Sequence, residues 1–287
     1  MKEKFGRKLK KYKRDPLSLV LFIAVTLAAI ITAAALAFIV IYILIKGIPH
    51  IKPDLFAWEY NSENVSLMPA LINTIMMTVL SLLFAVPIGM GAAIYLTEYA
   101  KRGNKFVGVV RVTAETLSGI PSIVYGLFGS LFFVKVCGFG LSLLSGALTL
   151  AIMILPLIMR TTEEALISVP DAYREGCFGL GAGKLRTVFK VVLPSAVPGI
   201  LSGVILGIGR IVGESAALIF TAGTVAEAVR SVLDSSRTLS VHMYLISGEG
   251  LYIDQTYATA VVLLVVVIII NAVSGVVAKK LGGGGKK

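Results

Sequence analysis

The stretch EGCFGLGAGKLRTVFKVVLP, residues 175–194, is a polar segment enclosed by two long apolar runs. The run before it covers residues 141–159, and the run after it covers residues 196–222. The glycine-rich sequence GLGAG at 179–183 divides the polar segment, which predicts two short helices with a break between them. If the apolar runs cross a membrane, they hold this segment at the membrane surface, where another protein can bind it.

The composition of the whole chain supports a membrane location. Hydrophobic residues make up 56% of the 287 positions and the mean hydropathy is +0.89, which excludes an ordinary soluble domain. A helix of about 20 apolar residues crosses the hydrocarbon layer. Six segments reach that length, so we predict an all-α polytopic membrane protein with six transmembrane helices. They cover residues 18–45, 69–97, 107–136, 141–159, 196–222 and 257–278.

The basic residues orient these segments. Cytoplasmic N- and C-termini place most of the 27 Lys and Arg residues on the inside, as membrane insertion favours. We therefore predict a basic cytoplasmic tail at 1–17 and a flexible tail at 281–287. The net charge of +11 follows from this topology, so we expect membrane lipid and no nucleic acid as a partner.

The 175–194 segment resembles the EAA loop of binding-protein-dependent ABC importer permeases. That loop reads Glu-Ala-Ala, three residues, Gly, nine residues, Ile, one residue, Leu-Pro. Glu175, Gly181, Leu193 and Pro194 match in identity and register, and Val191 replaces the isoleucine. The resemblance implies that these four matching residues couple the chain to a cytoplasmic ATPase.

The coupling loop is expected to cover residues 160–196, with Leu193-Pro194 ending its second helix. Gly183-Lys184 in this loop is part of a phosphate-binding P-loop pattern, which also needs an earlier glycine and a following Ser or Thr. Phe178 and Leu185 occupy those two positions. We therefore predict a transporter subunit that is not an enzyme, has no catalytic residues and needs no cofactor or metal.

Three further segments resemble phosphate importer permeases of the PstA type: ETLSGIPSIVYGLFG at 115–129, GRIVGES at 209–215 and QTYATA at 255–260. The resemblance implies a type I ABC importer permease architecture in the cell membrane, with a first helix at 18–45 and a permease core at 69–280. It also implies three kinds of partner: a second related permease forming a heterodimer, two cytoplasmic ATPase subunits and an extracytoplasmic phosphate-binding protein.

Charged residues inside the apolar segments are candidates for the substrate pathway. Arg210 lies in the middle of the fifth segment, where insertion scales assign an arginine a cost of about 2.5 to 3.5 kcal/mol. Glu214 follows one helical turn later, so the two residues either neutralise each other or serve a passing anion. A guanidinium offers a planar fork to phosphate oxygens, and a carboxylate can accept the hydrogen of a protonated phosphate. Glu115 is the third candidate, whereas Arg111 either reaches the membrane surface or contributes to transport.

Two other patterns allow more than one interpretation. Gly199, Gly203 and Gly207 either bring helices close together or leave room for an ion. The resemblance implies that the extracytoplasmic segments 46–68 and 223–256 form the contact surface for a binding protein. His242 is expected to be exposed there.

The cargo and the energy source each have an alternative. Another oxyanion such as phosphonate, sulfate or molybdate would suit the same residues. An ion-gradient-driven transporter or channel would need no ATPase, but the EAA-like spacing favours an ATP-driven importer.

Overall fold

The computed structural model describes residues 16–101 and 103–282, in which helices and loops occur but no strand. The predicted basic tail and flexible tail lie almost wholly outside these residues. The helices are α1 Pro16–Gly47, α2 Met68–Ile94, α3 Lys105–Ser118, α4 Ser122–Gly129, α5 Leu143–Ile167, α6 Asp171–Gly179, α7 Lys184–Val212, α8 Ala216–Thr221, α9 Leu239–Glu249 and α10 Ile253–Gly282. Turns of π-helix extend α2 to Tyr99 and α4 to Val136.

Within the described residues, α1, α2, α5, α7 and α10 are long and apolar enough to cross a membrane. A sixth crossing is possible if α3 and α4 are counted together, although they meet at an angle of 102°. This confirms the predicted all-α membrane fold, with its third segment broken at Pro121. Proline disfavours helical backbone in the residue before it. The Tyr125 hydroxyl donates to the Leu117 carbonyl oxygen at 2.8 Å, which ties the two arms together.

The helix after the coupling loop differs from the prediction. We expected Leu193-Pro194 to end a loop helix, but α7 continues from Lys184 through Pro194 to Val212, so that expectation is wrong. Proline cannot donate the usual backbone hydrogen bond, and a π-helical turn at Val188–Val192 precedes it. This change of hydrogen-bond pattern allows the chain to pass the proline without leaving the helix.

The helices pack around α5, which contacts α2 on one side and α7 on another. The main core joins Met77 of α2, Leu150 and Ile154 of α5, Ile211 of α7 and Leu218 of α8. In contrast, α1 packs on α10, and none of its apolar membrane stretch is buried. α2, α5, α7 and α8 therefore share a core to which α1 contributes no residue.

The three-glycine ladder of α7 faces α5. A Cβ atom at Gly199 would lie 2.7 Å from the Cβ of Ala165, and one at Gly203 would lie 2.6 Å from the Cβ of Thr161. At Gly207 the nearest atom would be 3.3 Å away, also on α5. Close helix packing therefore explains the ladder, because all three positions are taken up by the neighbouring helix.

The extracytoplasmic segment between α8 and α9 is fastened to the start of α2. Asn73 Nδ2 donates to the carbonyl oxygens of Glu227 and Arg237, and its Oδ1 accepts from the Val229 amide at 3.1 Å. The Thr74 hydroxyl accepts from the Leu239 amide at 2.8 Å. These contacts place α9 against α2 and α10.

This packing overturns the expectation that His242 is exposed. His242 has no exposed surface and Arg237 retains only 5% of its own. Both residues lie in the interior of the extracytoplasmic end of the bundle, because α9 folds back onto α2.

Candidate functional site

A cavity of ≈ 540 Å³ opens between α3, the second half of α5 and the end of α7. Two of the predicted pathway residues, Arg210 and Glu115, line this cavity together. The charged residues of its wall are Arg111, Glu115, Arg160, Glu163, Glu164 and Arg210. Three guanidinium groups and three carboxylates therefore meet in one space large enough for a small anion.

Two of the three guanidinium groups are paired with glutamates of α5. Arg111 forms an ion pair with Glu163, and Arg160 Nε donates to Glu164 Oε1 at 3.1 Å. Arg210 has no carboxylate partner among the described residues. Its N–H donors are therefore available to an anion in the cavity.

The structure does not bring Glu214 to Arg210. Because α7 ends at Val212, Glu214 lies beyond the helix instead of one turn along its face. Glu214 Oε1 accepts from the Ala217 amide at 3.1 Å, and the Ser240 hydroxyl donates to the Glu214 carbonyl oxygen. Of the two alternatives, mutual neutralisation of Arg210 and Glu214 is therefore not seen among the described residues, and Glu214 lies at the break between α7 and α8.

Gly181 shapes the tip of the coupling loop. Its φ angle is +80°, which favours glycine because a Cβ atom would be strained there. The Gly181 amide donates to the Phe178 carbonyl and the Ala182 amide donates to the Cys177 carbonyl, which is the Schellman arrangement for ending a helix. Glu175 lies exposed on the helix that this turn ends.

Large exposed apolar side chains occur on both helices next to this tip. Leu180 is 91% exposed and Leu185 is 67% exposed. We use the name coupling surface for the five exposed residues Tyr173, Phe178, Leu180, Leu185 and Phe189. A cluster of this kind is typical of a protein-binding site.

The four residues predicted for coupling fall into two groups. Glu175 and Gly181 belong to α6 and its turn, beside the coupling surface. Leu193 packs against a buried cluster that includes Leu166 of α5 and Val192 of α7, and Pro194 follows on the same helix. Leu193 therefore helps to seat α7, whereas Glu175, Gly181 and Pro194 are exposed.

A buried ion pair that the sequence reasoning missed anchors α6. Arg174 Nη2 donates to Glu98 Oε1 at 2.7 Å and to the Leu166 carbonyl at 2.9 Å, while Nη1 donates to the Val169 carbonyl at 2.8 Å. The Arg174 and Glu98 side chains are 15% and 7% exposed. The hydrogen bond to Glu98 raises the pKa of Arg174. The one available signal was an acid at the cytoplasmic end of a span, where basic residues are expected.

Comparison with known families agrees with this geometry. The family model described as "Binding-protein-dependent transport system inner membrane component" matches residues 85–282. The chain is 33% identical over 243 residues to the probable ABC transporter permease protein YqgI of Bacillus subtilis, covering 79% of this chain and 82% of the relative. It is 40% identical over 154 residues to the phosphate transport system permease protein PstA of Mycobacterium leprae, covering 54% of this chain and 50% of the relative.

The fold also resembles solved structures. One is a bacterial alginate ABC transporter in complex with an alginate pentasaccharide-bound periplasmic protein, with a TM-score of 0.69 at 18% identity. The match covers 95% of this chain and 97% of that chain. At this identity the similarity concerns the arrangement of helices.

Proposed function

This chain belongs to the family of binding-protein-dependent transport system inner membrane components, and we propose that the cargo it conducts is phosphate. The family places it among the membrane subunits of ABC importers, and its resemblance to PstA-type permeases is confirmed by its relatives. The expected type I ABC importer permease architecture is likewise confirmed. An ion-gradient-driven mechanism has no support from this family.

The observation that carries the phosphate proposal is the Arg210 guanidinium, which faces a cavity and has no carboxylate partner among the described residues. A planar guanidinium binds two phosphate oxygens at once. Glu115 in the same wall can accept a hydrogen from a protonated phosphate, whereas fully deprotonated sulfate has none to give. Glu214 supports this site by holding the helix break that follows Arg210.

The partners in this proposal are a second related permease that completes the pathway, two cytoplasmic ATPase subunits and an extracytoplasmic binding protein. The coupling surface beside Glu175 and Gly181 is the docking site for an ATPase. Movement of α6 reaches the membrane helices through the Arg174–Glu98 pair and through α7, which starts just after the loop. The cavity then alternates its access between the two sides of the membrane.

Uptake of radiolabelled phosphate by the complete transporter in proteoliposomes tests the role of Arg210. Arg210→Ala should lower uptake about 10- to 100-fold, because it removes charge-assisted hydrogen bonds to the anion. Arg160→Ala is the matched variant in the same cavity wall. It should lower uptake much less, because the Arg160 guanidinium is already paired with Glu164. Equal losses in the two variants would contradict the assignment.

Competition experiments test the cargo itself. Excess unlabelled phosphate should abolish the uptake of labelled phosphate. The same excess of sulfate, phosphonate or molybdate should leave most of the labelled phosphate uptake intact. A complex that carries one of these anions in preference to phosphate would refute the proposed cargo while leaving the importer family unchanged.

A further inference from the structure

Three polar side chains at the extracytoplasmic end of the bundle are buried without partners. Ser236 and His242 have no exposed surface, and Arg237 is 5% exposed. The described residues give no hydrogen-bond partner to Ser236 Oγ, to Arg237 Nε and Nη2, or to either ring nitrogen of His242. We use the name outer polar cluster for Ser236, Arg237 and His242. Buried polar groups are almost always hydrogen-bonded, so this cluster needs an explanation.

The ring of Tyr60 brings two members of the cluster together. Arg237 Cζ lies 4.5 Å from the Tyr60 ring centroid, over the face of the ring. The His242 ring meets Tyr60 at 89° with 6.1 Å between centroids. A guanidinium that lies over an aromatic ring interacts with the ring through its flat side. Its N–H bonds lie in the plane of the guanidinium and are not used in this contact.

The charge states in the cluster follow from this environment. Burial and, to a smaller extent, the positive charge of Arg237 lower the pKa of His242 to about 3. The Val65 backbone, which lies near the ring without meeting hydrogen-bond geometry, opposes this shift only weakly. The imidazole is therefore neutral at physiological pH and has one donor and one acceptor nitrogen. Arg237 keeps its charge, because arginine is not deprotonated in proteins, and no carboxylate is paired with it among the described residues.

We propose that the outer polar cluster is a second anion site, which takes a small tetrahedral oxyanion carrying a proton. The unused N–H donors of Arg237 suit two oxygens of such an anion. The Ser236 hydroxyl and the His242 N–H can donate to the remaining oxygens of the anion. The acceptor nitrogen of His242 can accept a hydrogen bond from monohydrogen phosphate. Sulfate and phosphodiesters carry no such hydrogen. The choice of phosphate as ligand rests on the proposed function, but binding at this site does not require transport.

The structure supplies an approach to this site and a connection from it. Tyr60, which contacts Arg237 and His242, also lines a cavity of ≈ 430 Å³ together with Trp58, Glu59 and Glu227. The chain just beyond Arg237 reaches the break that follows Arg210, because the Ser240 hydroxyl donates to the Glu214 carbonyl. An anion at the cluster would therefore bind on a segment that is hydrogen-bonded to the main pathway.

The test is the thermal stability of the transporter complex, purified without its binding protein and carrying Arg210→Met to remove the first site. Phosphate should raise the melting temperature of this variant, and adding Arg237→Met should abolish the rise or weaken the apparent affinity at least about tenfold. Without added anion, Arg237→Met should not lower the melting temperature, since it removes an unpaired buried charge. An unchanged phosphate effect after Arg237→Met would overturn the proposal.

Two milder variants cover the case in which Arg237→Met does not assemble. In the Arg210→Met complex, Ser236→Ala and His242→Gln should each reduce the phosphate-induced rise in melting temperature. An undiminished rise in both variants would refute the site. Sulfate should give a smaller rise, as should glycerophosphocholine, a soluble phosphodiester that represents a lipid headgroup. An equal effect of either compound would overturn protonated phosphate as the ligand. Loss of uptake in Arg210→Ala is measured separately, so this site and the proposed function can fail independently.

Discussion

Asn73 is a single residue that determines where a distant segment lies. It is fully buried, and its side-chain amide holds three backbone groups that are more than 150 positions away. Asn73→Ala should destabilise the protein by about 3 kcal/mol, because buried backbone groups lose their partners. Thermal unfolding in detergent measures this loss, and limited proteolysis of the 223–238 segment should increase in parallel.

Asn271→Ala is the control for this prediction, because Asn271 is exposed on α10. It should change the melting temperature little. An Asn73→Ala protein as stable as the Asn271→Ala protein would show that the segment is positioned by other contacts.

His242 is the residue that should make stability depend on pH. The pKa of His242 is about 3 in the folded protein, whereas the pKa of an unfolded histidine is 6.5. Between these values the unfolded state binds the extra proton, so stability falls as the pH falls below 6.5. At pH 5 in anion-free buffer the loss should be about 2 kcal/mol relative to neutral pH.

Melting temperatures at pH 7.5 and pH 5 measure this effect. His242→Gln should reduce the difference between the two, whereas His50→Gln should preserve it. His50 is the other histidine, and it lies 3.4 Å from an Asp254 carboxylate oxygen outside the buried region. An unchanged pH dependence in His242→Gln would argue against a buried neutral imidazole.

At the scale of elements, the contact between α5 and α7 depends on glycine. Gly203→Ala should destabilise the protein by about 1 to 3 kcal/mol, because the added Cβ would overlap Thr161 of α5 and push the helices apart. Gly209→Ala on the same helix meets nothing within 4 Å and should be neutral or stabilising by up to about 1 kcal/mol. Thermal unfolding of both variants compares them directly, and similar melting temperatures would mean that α7 does not pack on α5 through this face.

The helix ends also differ from those that hydropathy suggests. Apolar composition continues across Gly213, yet α7 ends at Val212 and a separate helix starts at Ala216. Conversely, charged residues from Lys184 onwards belong to the same helix as the apolar residues that follow. Hydropathy reports where a segment is stable in lipid, whereas the helix ends depend on caps such as the Glu214 carboxylate.

At the scale of the whole molecule, the proposed mechanism makes the Arg174–Glu98 pair the link through which motion of the ATPase subunits reaches the pathway. Glu98→Gln removes the buried charge that holds Arg174, so phosphate uptake per ATP hydrolysed should fall about tenfold while ATP hydrolysis continues. Paired measurements of uptake and hydrolysis in proteoliposomes check this ratio.

Asp171→Asn is the matched control, because Asp171 is the second acid that contacts Arg174, at 3.2 Å. Its side chain is largely exposed, so this contact should contribute little. If Asp171→Asn lowers the ratio as much as Glu98→Gln, or if neither variant lowers it, the buried pair does not transmit the motion.

The sequence alone determined the fold class and the family, and it predicted the side of the membrane on which the coupling loop lies. These properties depend on the lengths of apolar runs, on the sidedness of Lys and Arg, and on the spacing from Glu175 to Pro194, all of which are local along the chain. The cavity residues Arg210 and Glu115 were also found in this way, because a charge inside an apolar segment stands out without any structure.

The tertiary structure alone decided which charges meet. Arg111 pairs with Glu163 of α5 and not with Glu115 one turn away, and Arg174 pairs with Glu98, which is 76 positions earlier. Arg210 does not pair with Glu214 because α7 ends two residues after Arg210, and His242 is buried because α9 folds back onto α2. Ion pairs and burial depend on distances in space, and helix packing sets those distances between segments that the sequence keeps far apart.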